Sequence, residues 1–89
     1  MVNFPLSKSQ KILLIKIAAG ETLKSHRHLD GRKMYLLHPL SGEPSPVAAR
    51  TVQSLVRRGL LSSNQKFPVA TFYLTPKGVE MVEKFRRGG

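Results

Sequence analysis

Apolar positions recur along this chain in two different periods, and the places where the period changes mark its elements. Residues 12–19 are apolar except for Lys16, with Ser7 or Ser9 placed before them as an N-cap and Gly20 after them as a stop. The pattern predicts a first helix, apolar on most sides and therefore expected at the centre of a small core. Residues 22–38 carry Asp30-Gly31, a two-residue hairpin signal. Pairing about that turn sets Leu29 against Arg32, Arg27 against Met34 and Ser25 against Leu36. The other face then holds Lys24, His26 and His28 beside Lys33, Tyr35 and Leu37. Residues 39–46, with three prolines, read as a connecting loop.

The helical period returns after Ser45. Ser45 suits an N-cap and Pro46 a first helical position. Ala48, Val52, Leu55 and Val56 then follow an i, i+4, i+7, i+8 spacing that gathers them on one face. Arg50, Gln53, Ser54 and Arg57 project from the other side, and Gly59 ends the helix. Leu60 and Leu61 open a strand, residues 64–68 form a polar turn, and Val69 to Thr75 resumes as β-branched and aromatic residues. Phe72 and Leu74 share one face there, Thr71 and Tyr73 the other. Thr75 caps a last helix begun by Pro76, with Val79, Val82 and Phe85 as its stripe. The expected core is Leu14, Ile15, Val52, Leu55, Leu61, Leu74 and Val82.

Charge sharpens this picture. No acidic residue lies between Pro44 and Val79, whereas Arg50, Arg57, Arg58, Lys66 and Lys77 do. The whole chain of 89 residues has 15 Lys plus Arg against 5 Asp plus Glu, a formal charge of +10. Such an excess points to a polyanion, with nucleic acid in front and an acidic protein surface behind it. The length fits one domain over residues 1–89, with a loose tail at about 86–89. Cysteine is absent, which excludes disulfides and thiolate metal sites and fits a reducing, cytoplasmic compartment. No run is long enough to span a bilayer, so no membrane partner is expected.

The helix ending TVQSLVRRGLL and the strand-to-helix junction FYLTPKG resemble the winged helix-turn-helix family. The likeness covers the last half of the chain well and extends to the first helix. It implies a small α+β winged-helix domain in which residues 46–58 form the groove-facing helix and residues 64–68 the wing tip. In the first half the Asp30-Gly31 hairpin stands where the family has its second helix. The implied function is binding of double-stranded DNA, by a small transcriptional regulator or accessory factor that is open to homodimer formation.

On that reading Arg50, Gln53 and Arg57 face a major groove, where arginine forks suit guanine and glutamine amides suit adenine. Ser45, Ser54, Lys66 and a strip of Lys24 and Lys33 contact phosphate. Arg58 is discounted, because a helix C-terminus favours a cation through its dipole alone. The alternative is a protein-interaction module, an inhibitor or assembly adaptor, docking an acidic partner surface.

Other chemistry finds little support. His26 and His28 share a strand face in the register above and His38 falls opposite, so no metal site is expected. Tyr35 and Tyr73 could stack on bases, although a strand tyrosine more often packs its ring. The five acids have neither the spacing nor the apolar setting of acid–base catalysis, and no phosphate loop or nucleophile motif is present. The chain is expected to be neither an enzyme nor dependent on a cofactor.

Overall fold

A computed structural model describes residues 5–88. The order is α1 (Lys8–Ala18), β1 (Thr22–Arg27), β2 (Lys33–His38), β3 (Ser45–Val47), α2 (Ala49–Arg57), β4 (Leu61–Ser63), β5 (Val69–Leu74) and α3 (Pro76–Gly88). The strands form one antiparallel sheet in the order β3-β2-β1-β5-β4. The domain is therefore α+β. Its helices cover one sheet face, where Leu23, Tyr35, Leu37 and Phe72 meet Leu13, Leu14, Val52, Leu55, Leu60 and Val82. The other face, with Lys24, His26, Leu36 and Tyr73, has no helix over it among the described residues. Among the described residues no helix is long and apolar enough to cross a membrane.

The hairpin forms, but its turn is not the two-residue one. His28 C=O accepts from Gly31 N–H at 3.0 Å, and His28 N–H donates to Arg32 C=O at 2.8 Å. Leu29 and Asp30 make the turn and Gly31, at φ +92°, supplies the bulge that follows. The extra residue shifts the pairing by one, to Arg27↔Lys33, His26↔Met34 and Ser25↔Tyr35. A one-residue shift exchanges faces. This one puts Leu23, Tyr35 and Leu37 together on the core side, where the expected register would have split them.

Three further expectations are corrected. Ser45 and Pro46 do not start α2. They lie in edge strand β3, where a proline without an N–H is tolerated, and Val47 there packs opposite Tyr35. Helix α2 begins at Ala49 after an Ala48 N-cap that makes no side-chain bond. Helix α1 is not central: Leu13 and Leu14 are buried, but Ile12 and Ile15 are each 42% exposed, so Ile15 leaves the expected core. In α3 the inward stripe runs through Gly78, Met81, Val82 and Phe85, and Val79 is exposed. Of the expected tail at 86–89, Arg86, Arg87 and Gly88 lie in α3 and Gly89 lies outside the described residues.

The second half is held by a compact set of caps. Gly59 N–H bonds Val56 C=O and Leu60 N–H bonds Leu55 C=O, both at 3.0 Å, so a Schellman pair closes α2. Thr75 then ties three elements at one point. Its hydroxyl donates to Gly59 C=O at 2.6 Å and accepts from Gly78 N–H at 3.0 Å. Its own N–H donates to Leu60 C=O at 3.2 Å. Gly78 has to be glycine because a Cβ there would collide with the Leu60 carbonyl oxygen.

Candidate nucleic-acid interface

The exposed side of α2 follows from its inward stripe. Val52 and Leu55 are fully buried, which leaves Arg50, Gln53 and Arg57 in solvent on the opposite side. Val56, expected inward, is 40% exposed and borders that surface. Ser54 is placed differently. Its hydroxyl accepts from Gln10 Nε2 at 2.7 Å. Gln10 is itself buried and completes a capping box at the start of α1 with Ser7. Ser54 therefore joins α1 to α2. Ser45 sits exposed on β3, paired with Leu37, away from any helix N-cap.

The expected Lys24/Lys33 strip does not exist as one surface. With the observed pairing Lys24 sits between Leu36 and Thr71 on the uncovered sheet face. Lys33 pairs with Arg27 on the opposite face, its Nζ 5.6 Å from the Tyr35 ring centroid. There Lys33 is shared by two hollows. One, of about 220 Å³, is also lined by Arg27, Lys66 and, from the β4–β5 hairpin, Ser63, Gln65 and Phe67. The other, of about 440 Å³, is also lined by His28, Arg32, Val47 and Ala49, the first residue of α2. A basic track thus runs from the first turn of α2 across the β1–β2 hairpin to the β4–β5 loop. Arg27 and Arg32 belong to this track and were missed in the sequence. The hairpin itself signalled them, but only its true register shows which side they take.

The β4–β5 loop is ordered by side chains bonding to backbone. Asn64 Oδ1 accepts from the N–H of both Lys66 and Thr71 at 3.1 Å, and Ser63 Oγ accepts from Gln65 N–H at 3.2 Å. Arg27 N–H donates to Pro68 C=O at 2.9 Å, which fastens the loop to β1 beside Lys66. At the hairpin tip Asp30 accepts from Arg32 N–H at 3.0 Å and pairs with Arg32 Nε at 2.8 Å. The bond from that backbone N–H, followed by the guanidinium, holds the Asp30 carboxyl below the usual carboxylate range. Part of the Arg32 charge is thereby matched within the chain, whereas Lys33 and Lys66 have no ion pair among the described residues.

The remaining candidates resolve by packing. Tyr35 is buried and meets Phe72 edge-on, with centroids 5.7 Å apart, so it is a core ring. Tyr73 is exposed on the uncovered sheet face. His38 joins His26 on that same face, correcting the expected separation; their centroids lie 6.2 Å apart and neither Nε2 finds a hydrogen-bond partner. Among the described residues no group of three His, Asp or Glu could hold a metal ion. No protein-family model, curated protein or solved structure matches the chain.

Proposed function

We propose that the protein binds double-stranded DNA as a winged-helix domain, with α2 as its groove-facing helix and residues 64–68 as its wing. The observation that carries this reading is the basic track in which Lys33 links the first turn of α2 to Lys66. Arg50, Gln53 and Arg57 are free of core duties and supply the base-edge chemistry. Arg27, Lys33 and Lys66 supply phosphate contacts. The uncapped start of α2 adds backbone N–H groups that suit a phosphate oxygen. A small regulator or accessory factor is the role that fits such a domain.

Fluorescence anisotropy with a labelled duplex across a salt series tests this. Log affinity should fall linearly with log salt, and Lys66→Ala or Lys33→Ala should each lower the slope by about one. Arg50→Ala and Gln53→Ala should lower discrimination between sequences by about 1–3 kcal/mol per lost base contact, with thermal melts unchanged. A parent chain with no salt-sensitive duplex binding would end this reading.

A further inference from the structure

The helical side of the molecule carries a second basic surface whose chemistry differs from that of the track. A cleft of about 900 Å³ opens where α1, the end of α2 and one side of α3 converge. Lys11, Arg57, Arg58, Lys77 and Lys84 wall it, and no carboxylate lines it among the described residues. Its floor is apolar. Leu6 and Leu60 are core residues, and Met81 and Phe85 pack against that same core from α3. Glu80 and Glu83, the acids of α3, are not among the lining residues.

A wall of lysine and arginine would attract any polyanion, so the floor discriminates between classes. A duplex presents phosphates and groove edges on a convex surface and has no side chain to fill an apolar hollow. A single strand binds by stacking successive bases on aromatic faces. Among the described residues Phe85 is the one aromatic in the lining, and Lys11 Nζ already lies 5.6 Å from its centroid. A peptide helix with acids on its flanks and a leucine-type stripe satisfies both walls and floor. We infer that this cleft docks an acidic amphipathic helix of a partner protein. The inference is independent of the duplex reading and uses a different surface, apart from Arg57 at their border.

The test is a titration of the ¹⁵N-labelled chain with a synthetic glutamate-rich peptide bearing leucine at i, i+3, i+4 and i+7. Saturable amide shifts are expected at Lys77, Met81, Lys84 and Phe85. Replacing the leucines by serine at unchanged charge should weaken binding by about tenfold or more. Lys77→Gln combined with Lys84→Gln should do the same, whereas the charge-matched pair Lys8→Gln and Lys16→Gln on α1 should have little effect. Arg50→Ala and Lys66→Ala should weaken a duplex and leave the peptide unaffected, so failure of either reading shows separately. The inference is overturned if the serine peptide binds as tightly as the leucine peptide, or if the α1 pair weakens it equally. It is also overturned if single-stranded DNA or phosphatidylglycerol vesicles shift the cleft amides while the peptide does not.

Discussion

Gly78 is the residue whose substitution should act furthest from its own helix. A methyl group there meets the Leu60 carbonyl and comes within 3.3 Å of Leu74, so α3 would have to back away from the α2–β4 corner. Gly78→Ala should cost about 1–3 kcal/mol in urea unfolding, as overpacking does. The neighbouring exposed Val79→Ala should stay within about 0.5 kcal/mol. Ser54 makes the opposite point about legibility. From sequence it belongs to the polar side of α2 and so to phosphate. Its bond to Gln10 joins residues 44 apart in the chain, which no local pattern announces. Ser54→Ala should destabilise by about 1–3 kcal/mol by leaving the Gln10 amide short of an acceptor. Unchanged melts with weakened duplex binding would return Ser54 to the phosphate role. The Ser7 and Gln10 capping box, by contrast, stands in the sequence at its own spacing.

The elements divide according to how they are punctuated. The run from α2 to α3 was legible because Gly59, Thr75 and Pro76 act through neighbours a few residues away. Helix α1 was legible as a helix but not in its rotation. With apolar residues on most sides, no polar side marks which of them face outward, and only contact with α2 and α3 settles it. Leu55→Ala, at a fully buried position, should therefore cost about 2–5 kcal/mol. Ile15→Ala should cost less than about 1 kcal/mol, and parallel thermal melts would expose any exchange of those roles. The hairpin shows a different limit. Asp30-Gly31 serves both two- and three-residue turns, and the difference of one residue decides which lysine shares a side with the β4–β5 loop. Ser45-Pro46 is ambiguous in the same way, since a proline suits both a helix start and an edge strand.

At the scale of the molecule, nine of the 15 Lys and Arg line two surfaces of unlike character, the hairpin track and the helical cleft. Thr75 fixes how α2 and the base of the β4–β5 hairpin are held against each other. From the end of β5 its three backbone contacts reach Gly59 after α2, Leu60 before β4 and Gly78 in the first turn of α3. The Leu60 and Thr75 amides should accordingly exchange hydrogen only through near-global opening, at rates comparable to those of buried β5 positions. Joined in this way, α2 and the β4–β5 hairpin resist changes in their separation. On the duplex reading the protein is then a gauge of fixed span, and the DNA has to supply the deformation. Duplexes alike at every contacted base but carrying a pliant pyrimidine–purine step outside the contacts should bind more tightly than stiff ones, so bendability would be selected where no side chain reaches.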